Sequence, residues 1–207
     1  SPHHADLADA DDLAGMPVVV ADLHSALPAV LAGIRSTHPH ARVAYVMTDG
    51  GALPAAFSRA VAGLADAGWL ASTITVGQAF GGDHEAVTTH TGLLAARFVV
   101  GADVAVVTQG PGNVGTGTRW GYSGVGCADA LHAAEVLGGH GIASLRVSGA
   151  DLRERHRGIS HHSRTAYGRA LLTAADVPVT TLPDAELDAL VREQLRTLVD
   201  TARARLS

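Results

Sequence analysis

The stretch Ala102-Asp-Val-Ala-Val-Val-Thr108, followed after Gln109 by Gly110-Pro-Gly-Asn-Val-Gly-Thr-Gly-Thr-Arg-Trp-Gly-Tyr-Ser-Gly-Val-Gly126, decides how the rest of the chain reads. Its first part is an apolar, valine-rich run of strand length. Its second part holds seven glycines. Beyond them Ser123–Leu137 is alanine-rich and helical in pattern, so the whole reads as strand, glycine loop and helix. A strand that ends in such a loop can bring bare backbone N–H groups close to an anion.

The same alternation continues on both sides. Strands are expected at Pro17–Ala21, Arg42–Met47, Ala71–Val76, Val104–Thr108, Ile142–Val147 and Val177–Thr181. Helices are expected near Leu27–Ser36, Pro54–Ala67, Glu85–Val100, Ser123–Leu137, Leu152–Ala174 and Asp184–Leu206. Continuous apolar strands alternating with helices predict a three-layer, doubly wound, mostly parallel six-stranded sheet of the Rossmann-like α/β class. Residues 1–15, rich in Asp and Ala, read as a linker or flexible start. Residues 16–207 read as one domain, and a chain that begins at Ser1 suggests the carboxyl-terminal part of a longer protein.

Composition narrows the function classes. The 207 residues are 47% apolar, enough for one large core. The net charge of -5 and the 4% aromatic content argue against nucleic acid as a partner. No apolar stretch is long enough to span a bilayer, and Cys127 alone permits no internal disulfide, which together point to the cytoplasm. All fifteen basic residues are arginine. Without lysine, a Walker P-loop and pyridoxal-phosphate chemistry are both excluded.

In an open parallel sheet, ligands bind beyond the carboxyl ends of the strands. There the sequence places Asp22-Leu-His24-Ser25, Thr48-Asp49-Gly50-Gly51, the 77–85 stretch with Asp83 and His84, the glycine loop, and Ser148-Gly-Ala-Asp151. Gly110, Gly112 and Gly115 spell G-x-G-x-x-G. They follow the fourth strand rather than the first, and no acidic residue stands at the expected distance, which disfavours NAD or FAD. A cradle for a phosphorylated small molecule or nucleotide, built from Gly110, Gly112, Asn113, Gly115, Thr116, Gly117 and Thr118, fits the loop better.

A second cluster, Arg153–Thr165, packs four arginines and three histidines into thirteen residues. Arg155, Arg157 and Arg164 are candidates to neutralise a bound anion, and His161 and His162 to move a proton, with Asp49 and Asp83 as further catalytic candidates. His24, Asp49, Asp83 and His84 offer ligand types for a divalent metal, although no metal signature spaces them. Asp83 also suits the N-cap of the helix at Glu85. The stripe Leu187, Leu190, Val191, Leu195 and Leu198 of the last helix fits either the core or a homodimer contact.

Taken together, Leu23-His24-Ser25, Thr48-Asp49-Gly50-Gly51-Ala52-Leu53-Pro54, Gly77–Asp83, the Gly110–Thr118 loop, Arg155-His156-Arg157-Gly158 and Ser160-His161-His162 resemble a bacterial family, domain of unknown function 3866. The resemblance spans Pro17 to Pro183. It implies a longer parent with a separate, β-rich amino-terminal region, and it brings no reaction with it. Thr88 stands where that family's pattern has asparagine, so a role for an amide does not carry over to that position. Two functional expectations result. One is a ligand-binding enzyme domain that hydrolyses or transfers a group on a phosphorylated metabolite. The other is a regulatory or scaffold domain that binds its own amino-terminal region or another protein without chemistry.

Overall fold

The computed structural model describes residues 3–51 and 53–206; residues 1, 2, 52 and 207, which include the first positions of the expected linker and Ala52 of the Thr48–Pro54 stretch, lie outside the described residues. Six strands form one all-parallel sheet: β1 (Pro17–Ala21), β2 (Val43–Thr48), β3 (Ser72–Val76), β4 (His84–Ala86), β5 (Val104–Gln109) and β6 (His140–Ser144). Their order is β4-β3-β2-β5-β1-β6. Registers such as Val19↔Val106 and Tyr45↔Val106 place the central strands level with one another. The fold is the expected three-layer, Rossmann-like α/β arrangement.

Helices cover both faces because the strands are apolar on both. In β2, Ala44 and Val46 enter one core cluster while Val43, Tyr45 and Met47 enter the other. Side chains alternate along a strand, so a run without polar residues must be buried twice. Helices α2 (Leu27–Thr37) and α3 (Arg59–Asp66) close the Tyr45 side through Leu27, Leu31, Val61 and Leu64. Helices α4 (Thr89–Phe98) and α5 (Cys127–Val136) close the other through Leu93, Ala96, Leu131 and Ala134.

This arrangement also locates the crevice. The chain leaves β1 toward α2 on one face and leaves β5 toward α5 on the opposite face, although the two strands are neighbours. A gap must therefore open beyond their carboxyl ends.

Four sequence expectations are corrected. The sixth strand is β4, not Val177–Thr181; there, only Asp176 bridges Ile142, and Pro178 supplies no N–H to continue a ladder. Helix α4 begins at Thr89 under a capping box formed by Thr88 and Thr91, so Asp83 is not its cap. The span expected as one helix, Leu152–Ala174, is broken at Gly158, whose φ is +65°. The amino-terminal segment is not a loose linker: α1 (His4–Leu7) packs on the domain, and Leu13 is fully buried in the core. Helix α7 (Ala185–Leu206) turns Val191 and Leu198 inward. Among the described residues no helix is long and apolar enough to cross a membrane.

Candidate functional site

The glycine loop after β5 folds into a tight, self-bonded hairpin. The Thr116 N–H donates to the Gly121 carbonyl (2.7 Å), the Ser123 N–H to the Val114 carbonyl (2.8 Å), and the Ser123 hydroxyl to Asn113 Oδ1 (2.8 Å). Thr116 and Thr118 pair their hydroxyls at 3.0 Å. At its base the loop crosses the β2 turn so closely that a Cβ on Gly51 would strike the Gly110 carbonyl. Glycine is required there by contact between two backbones.

The arginine–histidine segment is held against this loop. A short antiparallel ribbon, β7 (Val147–Ser148) with β8 (Gly158–Ile159), closes a turn that carries Asp151 to Arg157. Asp151 accepts from Arg153 Nε (2.9 Å) and Nη2 (2.8 Å), which holds its carboxyl well below the usual range. Gly158 passes tightly against the Gln194 side chain of α7, which accepts from the Ile159 N–H at 2.6 Å. Ser160 then caps α6 (His161–Thr165), accepting from the His162 N–H at 3.2 Å. The chain continues as a π-helical turn, Ala166–Ala170. Within it the buried Tyr167 hydroxyl lies between the carbonyls of Val20 (3.1 Å) and Ser144 (3.3 Å), anchoring the segment to the ends of β1 and β6.

Between loop and segment lies a cavity of about 300 Å³, lined by Asn113, Gly115 and Gly117, by Arg146, Arg153 and Arg155, and by His156, His161 and His162. The three imidazoles are in mutual contact, with ring centroids 4.4 to 5.0 Å apart. One nitrogen from each lies within 4.8 Å of the others, the sole such histidine, cysteine or carboxylate group among the described residues. Tyr122 stacks on His162 at 4.0 Å and donates its hydroxyl to the His162 carbonyl. Asp22, at the end of β1, places Oδ2 3.5 Å from His162 Nδ1. Burial pushes His156 and His161 down to about 4, and neighbouring groups add to it: the Arg146 and Arg153 charges for His156, the His162 ring and the Arg155 charge for His161. Both rings are neutral at pH 7. A cavity with this lining can hold an anion against guanidinium groups, and neutral imidazoles can accept a proton or a metal.

Of the residues expected from sequence, Asn113, Gly115, Gly117, Arg155, His161 and His162 meet here. Gly110, Gly112, Thr116 and Thr118 belong to the same loop without lining the cavity. Arg157 is exposed, and Arg164 lines a separate pocket of about 210 Å³ with Arg119 and Arg169. The candidate metal set is dispersed. His24 bonds the Tyr45 hydroxyl (2.9 Å) and Ser58 Oγ (2.5 Å). Asp49 accepts from the Gln78 N–H and lines another cleft, of about 130 Å³. Asp83 ties down the start of β3 by accepting from the Thr73 N–H (2.8 Å) and the Thr73 and Ser72 hydroxyls, and the Thr73 N–H holds its carboxyl below the usual range. His84 sits in β4 with its ring edge-on to His3. Sequence reading overlooked Arg146 and gave no role to Arg153 or His156. The usable signal for His156 was Gly158, a helix breaker that lets His156 fold back on His161.

A family model described as Protein of unknown function (DUF3866) matches residues 1–206, which is essentially the whole chain. No curated protein and no solved structure matches it.

Proposed function

The chain belongs to the DUF3866 family of proteins of unknown function, and we propose that it binds a phosphorylated small molecule or nucleotide beside the glycine loop and hydrolyses or transfers a group on it. The observation that carries this reading is the cavity of about 300 Å³, into which Arg146, Arg153 and Arg155 converge opposite Asn113, Gly115 and Gly117. Its size suits a small metabolite. Asp151 offsets part of the positive charge of Arg146 and Arg153, whereas no acidic partner is seen for Arg155 among the described residues. In this reading the arginines hold and neutralise the phosphate, the loop closes over it, and the neutral histidines serve the attacking water. A cytoplasmic setting belongs to the same reading, since Cys127 is free and buried.

A second reading, a regulatory or scaffold domain that binds a partner such as its own amino-terminal region, draws on a different feature. An apolar groove of about 880 Å³ lies at the opposite rim, lined by Pro17, Val19, Ile34, Val104, Ile142 and Pro178.

Thermal stability of the chain against nucleotides and sugar phosphates separates the two. A ligand at about 100 times its dissociation constant adds ~2.7 kcal/mol. A rise with one class of phosphorylated compound, lost in Arg155→Ala, supports the first reading. A flat panel removes it.

A further inference from the structure

We propose that His156, His161 and His162 form a binding site for a divalent metal ion of the zinc class, set in the wall of the arginine cavity. The inference rests on the same cavity as the function proposed above, and it changes the part of the histidines there from proton carriers to ligands. Three observations carry it.

The first is convergence without pairing. The three nitrogens lie within 4.8 Å of one another, yet no hydrogen bond joins any two of the rings. His161 Nε2 is buried without a hydrogen-bond partner. Buried polar atoms are normally satisfied, and a buried imidazole nitrogen grouped with two others is satisfied by a shared cation.

The second is support from behind. His156 Nδ1 is engaged by Ser160 Oγ at 2.8 Å, which leaves Nε2 as its free nitrogen. His162 Nδ1 faces the Asp22 carboxylate at 3.5 Å, and Tyr122 fixes the ring by stacking. Such outer partners orient imidazole ligands in metal sites. Asp22 is 2% exposed, so its charge is available to a buried cation.

The third is the donor set and its opening. Three imidazoles suit zinc, with a remaining position for water or substrate. All three rings line the cavity, where Arg146, Arg153 and Arg155 stand. Their charge opposes a bare cation, and an anionic fourth ligand offsets it. Metal and phosphate therefore strengthen each other's binding.

The test uses the full chain, stripped with a chelator and kept free of phosphate. Zinc is titrated in competition with a chromophoric chelator, and cobalt(II) is followed by its visible spectrum. The expected result is about one ion per chain with micromolar or tighter affinity, weakened about 10- to 100-fold or more in His161→Gln and His162→Gln. His84→Gln leaves binding unchanged. X-ray absorption of the zinc-loaded native chain needs no variant to fold, and it should show three imidazoles around the metal. Absence of zinc binding at micromolar concentration overturns the proposal, as does a shell with fewer than two imidazoles. Equal affinity in His161→Gln overturns it as well. Phosphate binding is measured separately on the metal-free chain, so failure of the anion reading is seen independently.

Discussion

The Asp22 carboxylate and the His162 imidazole approach to 3.5 Å at the crevice between β1 and β5, with Asp22 Oδ2 and His162 Nδ1 both buried and neither hydrogen-bonded. The neighbours of Asp22 lie on three segments: Gln109 Nε2 donates to its main-chain carbonyl at 2.9 Å, and a Cβ on Gly124 would press on its side chain at 3.2 Å. The pair thus joins the ends of β1 and β5 to the histidine segment. Replacing Asp22 by Asn keeps the shape and removes the charge. Zinc affinity should fall about 10- to 100-fold, measured by chelator competition, while the circular dichroism spectrum is unchanged.

The neutral histidines set a pH dependence. His156 and His161 are held at about 4 in the folded chain against 6.5 when unfolded. Above pH 6.5 neither state binds these protons. As pH falls below 6.5 the unfolded chain takes them up first, so stability drops until the folded values are passed near pH 4. The loss should be on the order of 2 kcal/mol, softened by solvent at the cavity mouth. Urea denaturation of the metal-free chain between pH 7 and 4 measures it, and a His156→Gln, His161→Gln double variant should flatten the curve.

Arg155 and Arg157 are two residues apart and differ in placement: Arg155 lines the cavity, and Arg157 is exposed outside it. Loss of a charge-assisted hydrogen bond costs about 1.5–3 kcal/mol. Arg155→Ala should therefore weaken binding of a phosphorylated ligand about 10- to 100-fold by calorimetry. Arg157→Ala should bind as the native chain does.

Two glycines give opposite signs on adding a methyl group. At Gly51 the new Cβ meets the Gly110 backbone, which cannot rotate away, so Gly51→Ala should destabilise by about 1–3 kcal/mol. Gly63 lies within α3 with nothing near its Cβ position, so Gly63→Ala should stabilise by roughly 0.5–1 kcal/mol. Thermal midpoints of the two variants decide both.

The segment before β1 is part of the core. Leu13 is fully buried, and its main chain bonds the end of α5, the Leu13 N–H donating to the Leu137 carbonyl at 2.7 Å. Leu13→Ala should cost about 2–5 kcal/mol in denaturant unfolding. A truncation that removes residues 1–15 should be less stable still.

Five of the six strands and the layer arrangement were legible because they depend on local, repeating properties of the chain. Val43–Met47 and Val104–Val107 are apolar at consecutive positions, which only a strand buried on both faces tolerates, and alanine-rich segments between such strands have to cover them. The glycine loop was legible as a loop for the same reason. The absence of lysine was equally plain in the sequence, and it leaves these 207 residues no side-chain amine for a Schiff base.

What the tertiary structure decided is which residues share a place. His84–Ala86 carries no strand pattern of its own and becomes the edge strand because Asp83 bonds Ser72 and Thr73 at the foot of β3. Val177–Thr181 has the apolar content of a strand but lacks the N–H at Pro178 that a ladder needs. Asp83 and His24 have the chemistry of site residues, yet each is used by nearby hydrogen bonds to hold the sheet. Asp22, Arg146 and the three histidines are up to 140 residues apart in sequence and meet only because β1, β5 and the π-helical turn converge at one rim. Periodicity reports burial of a segment against an unspecified neighbour; the identity of that neighbour is a long-range property, set by strand order and crossover handedness.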